Sequence, residues 1–150
     1  MTVNELSAYM NHKIPRELSC SWDNDGLMCC PDGDRVVKKA LFCMDVTPEA
    51  IERAIEGGFD VIVSHHPLIF KGVKTLSGDF GIPARLIKLI KNDVAVLSYH
   101  TRFDAVDGGV NDALAEIFEL SDVQKVECEG IEVMRVGDLP EELDIEHFVA

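Results

Sequence analysis

Short apolar runs alternate with amphipathic segments through the middle of this 150-residue chain. Runs at residues 39–44, 60–64 and 94–98 are apolar and strand-like. The run at residues 60–64 shows almost no alternation, which is typical of a parallel strand buried on both faces of a sheet. Between them, residues 48–57 and 84–91 carry apolar side chains at helical spacing. This order predicts an α/β fold, in which βαβ units joined by right-handed crossovers form a mainly parallel sheet flanked by helices.

Capping residues predict where two helices begin. Thr2 and Glu5 form a Thr-x-x-Glu capping box, which predicts a first helix over residues 3–12. Thr47 and Pro48 supply a hydroxyl N-cap and a proline at the first helical position of the helix in the first βαβ unit. Both starts depend on local chemistry, so we expect them in the folded protein.

The pattern is weaker towards the end of the chain. Residues 107–109 predict a tight turn before a helix that includes residues 113–118. Residues 123–126 and 131–136 are candidate strands, and residues 139–143 predict the start of a further helix.

The negative net charge argues against nucleic acid as a binding partner. The chain carries a net charge of -13, whereas binding to nucleic acid depends on cations that neutralise phosphates. We therefore expect no nucleic-acid partner. The same charge repels nucleotides unless local cations or a metal ion offset it.

Length and the remaining composition predict one domain over residues 1–150. The first residues lack a basic segment followed by an apolar core, and no apolar run approaches membrane-spanning length. We expect a cytoplasmic protein without membrane contact. The five cysteines include no Cys-x-x-Cys pair, which argues against a disulfide framework and against a structural zinc site.

Histidines and an aspartate follow the ends of two predicted strands. His65 and His66 come directly after the second of these strands, and His100 and Asp104 follow the third. Neighbouring parallel strands end at one edge of a sheet, about 5 Å apart, so these groups should lie close together. Imidazole and carboxylate ligands suit zinc, iron, manganese or nickel, and a carboxylate that bridges two ions would give a two-metal hydrolytic site.

The adjacent histidines leave several interpretations open. Successive residues of extended chain point to opposite sides, so His65 and His66 should not easily bind one ion side by side. Each could serve a different ion, or one could be a ligand that the other supports. A polar loop that merely closes a strand is the third interpretation.

Trp22, the only tryptophan, lies in a polar, turn-prone segment at residues 21–27. Its role is either a partly buried anchor, with the indole N–H on a carbonyl, or a wall of a ligand pocket. Residues 71–82 predict an exposed loop that is long enough to cover the histidine end of the sheet.

Several stretches also form recognisable motifs. They are Trp22-Asp23-Asn24-Asp25-Gly26-Leu27, Asp45-Val46-Thr47-Pro48, Val61-Ile62-Val63-Ser64-His65-His66-Pro67-Leu68-Ile69-Phe70, Ser98-Tyr99-His100-Thr101-Arg102-Phe103-Asp104 and Gly108-Gly109-Val110-Asn111-Asp112-Ala113-Leu114-Ala115. In this order, and across nearly the whole chain, they closely resemble the NIF-three-like proteins, often named GTP cyclohydrolase type one, type two homologues.

The resemblance implies a dinuclear divalent-metal site on an α/β fold, with His65, His66 and Asp104 in the family's ligand positions. His100 matches a strand-end histidine beside the metals, which we expect to support a ligand or to shuttle a proton. The resemblance also implies a homo-oligomer, often a hexamer, with metal sites that face an internal cavity. The family's named activity, hydrolytic opening of the guanine imidazole ring of GTP, implies a nucleotide as the small-molecule substrate.

The family completes its site with a histidine and, one helical turn later, a glutamate, both far downstream. This chain ends first, and His147, its only later histidine, lies too close to Ala150 to have such a partner. Residues 133–150 resemble the lead-in to the family's second half, so we expect a truncated, split or fragmentary protein.

Two further positions depart from the family pattern. Arg102-Phe103 stands where the family usually has asparagine and a small or apolar residue, and Asp25 stands where a hydroxyl residue is common. Neither change removes a ligand, but Arg102 could alter the charge of the pocket.

Three functions remain open from the sequence. The first is a metal-dependent hydrolase, with GTP cyclohydrolase-type ring opening of a purine nucleotide as the implied reaction. The second is a metal-binding regulatory protein without turnover, because the downstream histidine and glutamate are absent. The third is a structural fragment that assembles through an exposed sheet edge.

Overall fold

A computed structural model describes residues 1–148 of the chain, and side chains up to residue 146. The strands in this part are β1 (Gly26–Cys29), β2 (Ala40–Cys43), β3 (Val61–Ser64), β4 (Ala95–Ser98), β5 (Ser121–Cys128) and β6 (Ile131–Asp138). The helices are α1 (Val3–Lys13), α2 (Pro48–Glu56), α3 (Gly81–Lys91), α4 (Thr101–Ala105), α5 (Val110–Ile117) and α6 (Ile145–Phe148). None of the described helices is long and apolar enough to cross a membrane.

Four strands form a mixed sheet in the order β1, β4, β3, β2. β2, β3 and β4 are parallel and in register, with Cys43 beside Ser64 and Ser64 beside Ser98 at their carboxyl ends. β1 runs antiparallel to β4, and Gly26 at its start lies opposite Ser98. The prediction of an α/β fold with a mainly parallel sheet flanked by helices is confirmed. The start of β1 therefore shares an edge with the ends of the three parallel strands.

Both faces of β3 and β4 are buried, as the apolar run at residues 60–64 predicted for β3, whereas the edge strand β2 leaves Phe42 72% exposed. Ile62 of β3 packs in a cluster with residues of α2 and α3, including Ile51 and Leu89. Its neighbour Val61 points to the opposite face and packs in a second cluster with Val3 of α1. The alternation of side chains along a strand explains why successive apolar residues serve two different cores.

The capping predictions are confirmed. Thr2 Oγ1 accepts a hydrogen bond from the Glu5 amide at 3.2 Å, while the Glu5 carboxylate accepts one from the Thr2 amide at 2.8 Å. Thr47 Oγ1 accepts a hydrogen bond from the Ala50 amide at the start of α2. Each helix thus begins at a residue that satisfies otherwise unpaired amide groups.

Two helix predictions differ from the structure. α4 was not expected, because a helix of five residues is too short to show a periodic apolar stripe in the sequence. Tertiary contacts of its buried Thr101 and Arg102 hold it in place. The last helix was expected to start at residues 139–143, but that stretch is irregular and α6 begins slightly later, at Ile145. Leu143 is exposed and does not anchor an earlier helical turn.

The candidate strands near the end of the chain are confirmed as longer strands of one antiparallel hairpin, β5 and β6. The hairpin is joined to the preceding helices through Arg135, which bonds to Asp112 and donates to the Ala105 carbonyl. The lead-in expected at residues 133–150 begins inside β6. His147 lies outside the described side chains, so its expected lack of a role stays a prediction.

Asp60, the residue before β3, holds the segment that precedes β2 in place through hydrogen bonds. Its side chain accepts hydrogen bonds from Arg35 and from the amides of Lys38 and Lys39, at 2.8 to 3.0 Å. Burial raises the pKa of Asp60, but these donors outweigh it and hold the pKa below its ordinary value of 3.8.

We predict that Asp60→Asn lowers the free energy of unfolding by about 1–3 kcal/mol at neutral pH, because donors lose a charged acceptor. The folded-state pKa is lowered, so this stabilisation is present above pH 3.8 and is lost as the pH falls through the folded-state pKa. Urea unfolding across a pH series measures both effects. Asp34→Asn, at an exposed aspartate, is the control, and equal losses in the two variants would contradict the prediction.

Candidate metal centre

The sheet brings side chains from four strand ends to one edge. Asp45 follows β2, His65 and His66 follow β3, and His100 follows β4. Because β1 is antiparallel, the residues before it reach the same edge, and Asp23 is among them. The register of the strands therefore determines which polar groups meet.

The two adjacent histidines point to the same side, contrary to the expectation from extended chain. Their amides donate to the consecutive carbonyls of Cys43 and Met44, whereas a regular parallel ladder uses only alternate amides towards one neighbour. The chain has therefore turned at this point. The ring centroids of His65 and His66 lie 5.1 Å apart, and each lies less than 6 Å from that of His100.

These three histidines form a compact group of candidate ligands. One ring nitrogen from each can be chosen so that all three lie within 4.8 Å of one another. His66 is the most exposed of the three, with 46% of its side chain accessible, while His65 and His100 are largely buried. An ion could therefore approach from the His66 side.

A hydrogen bond fixes the orientation of each ring. In every case Nδ1 donates to an oxygen that can only accept, which leaves Nε2 free to bind a metal. The pairs are His65 with the Tyr99 carbonyl at 3.1 Å, His66 with the Asp45 carboxylate at 2.9 Å and His100 with the Asp23 carboxylate at 3.0 Å. This donor arrangement fits a divalent metal ion.

Asp104, on α4, lies beside the histidine group. Its Oδ1 is 3.6 Å from His65 Nε2. The structure thus brings together all four residues singled out from the sequence, but it places His100 among the clustered imidazoles rather than behind them. The predicted division of roles, with His65, His66 and Asp104 as ligands and His100 in support, stays a prediction.

Burial shifts the pKa values of His65 and Asp104 in opposite directions. Burial lowers the pKa of His65 below its ordinary value, and the charge of Asp104 only partly offsets this effect. Burial likewise raises the pKa of Asp104 against the opposing influence of His65 and His100. His65 is therefore neutral near neutral pH, which is the form that binds a metal.

Asp23 is the residue that the sequence interpretation missed. Its fully buried carboxylate accepts hydrogen bonds from His100 and from both the amide and the hydroxyl of Thr101. Burial raises the pKa of Asp23, but these hydrogen bonds outweigh it and lower the pKa below its ordinary value. The signal in the sequence was an aspartate in the Trp22 motif, yet its target depended on the unpredicted direction of β1.

The two departures from the family pattern meet in the structure. The guanidinium of Arg102 is 1% exposed and donates through Nε to the buried carboxylate of Asp25 at 3.0 Å. Its Nη1 also donates to the side chain of Asn11 and to the Ile14 carbonyl. The charge of Arg102 is therefore compensated by Asp25, and not directed at the histidine group.

Fold and site together define the class: an α/β protein with a histidine and carboxylate centre, suited to a metal, at the carboxyl edge of its parallel strands. The chain belongs to the Duf34/NIF3 (NGG1p interacting factor 3) family, whose model matches residues 1–150. The family assignment made from the sequence motifs is confirmed.

Individual relatives agree with this assignment. A Staphylococcus aureus strain Mu50 protein named GTP cyclohydrolase 1 type 2 homolog is 40% identical over 124 residues, covering 82% of this chain and 33% of its own length. A Clostridium perfringens protein of the same name is 38% identical over 117 residues, covering 78% and 44%. The solved structure of reduced HcgD from Methanocaldococcus jannaschii matches with a TM-score of 0.84 and 29% identity, covering 99% and 58%. The chain thus spans less than half the length of these two curated relatives.

We predict that Asp23→Asn changes the tautomer of His100. An asparagine oxygen can still accept from Thr101, but its NH2 group then faces His100 Nδ1 and forces the ring proton onto Nε2. Nitrogen NMR shifts of His100 in the metal-free protein report the tautomer. Asp45→Asn, in the exposed pair with His66, should have a smaller effect. An unchanged His100 tautomer would contradict this account.

We predict that Arg102→Asn lowers the free energy of unfolding by about 3–5 kcal/mol, because it leaves the Asp25 carboxylate buried without its cation. The double variant Arg102→Asn with Asp25→Ser matches the family pattern at both positions and should recover at least about 1 kcal/mol of that loss. A double-mutant cycle in urea measures the coupling. Strictly additive losses would show that the two residues are energetically independent.

Proposed function

We propose that the chain is a metal-dependent hydrolase of the dinuclear type, with His65, His66 and Asp104 as ligands. The observation that carries this proposal is the convergence of three imidazoles, with ring nitrogens within 4.8 Å, beside a carboxylate. Mixed nitrogen and oxygen ligands suit zinc, iron, manganese or nickel. Such an ion would polarise a substrate oxygen. It would also lower the pKa of water, so that the nucleophile hydroxide forms near neutral pH.

The chain's own residues would orient the ligands and move a proton. The Tyr99 carbonyl and the Asp45 carboxylate hold His65 and His66 with Nε2 available. Asp23 accepts a hydrogen bond from the Nδ1–H group of His100, so that Nε2 is the basic atom of that ring. His100 could then take a proton from an attacking water, which is the shuttle role expected from the sequence.

The names of the relatives direct the choice of substrate. Both curated relatives are named as GTP cyclohydrolase homologues, so we propose hydrolytic ring opening of a purine nucleotide as the reaction to test first. The chain covers only 33% to 44% of these proteins, and the full activity therefore belongs to the proposal. Assembly as a homo-oligomer, with a hexamer as the expected form, is part of the same proposal.

A metal-binding protein without turnover is the second candidate. Among the described residues, the three imidazoles and the carboxylate of Asp104 are enough to hold one ion with open positions. The histidine and glutamate expected further downstream in the family would be needed to hold a second ion firmly. A regulatory role would then rest on binding alone.

We predict that the purified protein takes up about one divalent ion per chain or more after reconstitution with zinc or manganese. His65→Ala should weaken this binding at least roughly 10-fold, because an oriented imidazole is lost. Elemental analysis and calorimetry measure stoichiometry and affinity. His12→Ala, at an exposed histidine on α1, is the matched control and should bind metal like the parent.

Turnover separates the two candidates. The metal-loaded protein should release a ring-opened product from GTP if the hydrolase proposal holds, and His100→Gln should slow that release more than it weakens metal binding. Full metal occupancy without turnover of any purine nucleotide would favour the binding protein. Negligible metal uptake by the folded protein would eliminate both.

A further inference from the structure

Two half-exposed aromatic side chains stand beside the histidine group. Trp22 is 52% exposed and Phe70 is 47% exposed. Their ring centroids lie 6.2 Å apart, and they lie 6.2 and 6.5 Å from that of His100. The three rings therefore form a triangle in which two corners face solvent and the third belongs to the candidate metal centre.

The loops that carry this aromatic pair are held in place. Trp22 precedes Asp23, whose carboxylate is tied to His100 and Thr101. Phe70 follows Ile69, whose carbonyl accepts a hydrogen bond from the side chain of Asn24. The two loops are thus bonded to each other and to the end of β4, so the backbone positions from which the two rings project are set before any ligand arrives.

Trp22 and Phe70 pack edge to face, with their ring planes at 64°. About half of each side chain stays in contact with water, so a flat ring can reach them. A flat ring that stacks on the face of one of these side chains lies at a steep angle to the other.

Local charge selects among flat guests. Asp23, Asp45 and Asp104 contribute carboxylates around the histidines, while the guanidinium of Arg102 is committed to Asp25. This surrounding field disfavours recognition of an anionic ring, and the purine of the proposed substrate supplies a neutral one. Stacking on an aromatic side chain tolerates any neutral heterocycle because it uses the π-face.

We propose that Trp22 and Phe70 bind a planar, neutral heteroaromatic ring and present it to the edge of His100. As the substrate-recognition part of the centre, this role rests on the proposed function. The binding step itself requires neither a metal ion nor turnover, so it can be tested separately. Trp22 then forms the wall of a ligand pocket, which is one of the two roles left open by the sequence.

The fluorescence of Trp22 tests this proposal directly, because the chain contains a single tryptophan. Guanosine and adenosine are titrated into the metal-free and the zinc-loaded protein, with absorbance correction, and ribose 5-phosphate serves as the probe without an aromatic ring. We expect saturable quenching by the nucleosides and no saturable response to ribose 5-phosphate. Absence of saturable quenching by either nucleoside, or equal quenching by ribose 5-phosphate, overturns the proposal.

Variants of Phe70 test the second ring. Phe70→Leu keeps apolar volume but removes the π-face, and it should weaken nucleoside binding roughly 5- to 30-fold in both the metal-free and the zinc-loaded protein. Phe80→Ala, at an 82% exposed phenylalanine outside this group, should bind like the parent. Circular dichroism confirms folding of each variant. Unchanged affinity in folded Phe70→Leu overturns the role of Phe70.

Metal content, measured on the same samples, separates this inference from the proposed function. Saturable nucleoside binding by a protein that takes up no metal supports the aromatic site and contradicts the metal-dependent hydrolase. Metal uptake without nucleoside binding supports the metal centre and overturns the aromatic site.

Discussion

The alignment of strand ends at one edge of the four-stranded sheet is the constraint on which the candidate site depends. Ser64 and Ser98 lie side by side at the ends of β3 and β4, and their hydroxyls are 2.8 Å apart. His65 follows Ser64 directly and His100 follows Ser98 after one residue, so their rings start from neighbouring positions. A slip of one residue between these strands would turn every side chain to the opposite face and separate the group.

A short segment before β1 connects this edge to the rest of the molecule. Asp23 holds His100, Asn24 bonds to the loop after β3, and Asp25 receives the buried guanidinium of Arg102. Three successive residues thus serve the site, the neighbouring loop and the core. The same short segment therefore contacts both His100 at the site and Arg102 of α4.

Much of this architecture could be predicted because its causes are local. Unbroken apolar runs indicate buried strands. Thr2 and Thr47 each cap a helix by bonding to an amide only three residues further along the chain. α4 escaped prediction, since a five-residue helix is held by tertiary contacts of Thr101 and Arg102 rather than by its own periodicity. The last helix begins at Ile145, a few residues later than expected, and the exposed Leu143 does not anchor an earlier turn.

The sequence by itself determined the family, the βαβ order and the placement of His65, His66, His100 and Asp104 near strand ends, because periodicity and motif spacing are properties of the chain alone. Only the tertiary structure decided that the adjacent histidines face one side and that Asp23 stands behind His100. Both results depend on strand direction and on backbone turns at the sheet edge. Those features arise when distant segments pair, and no local pattern specifies them.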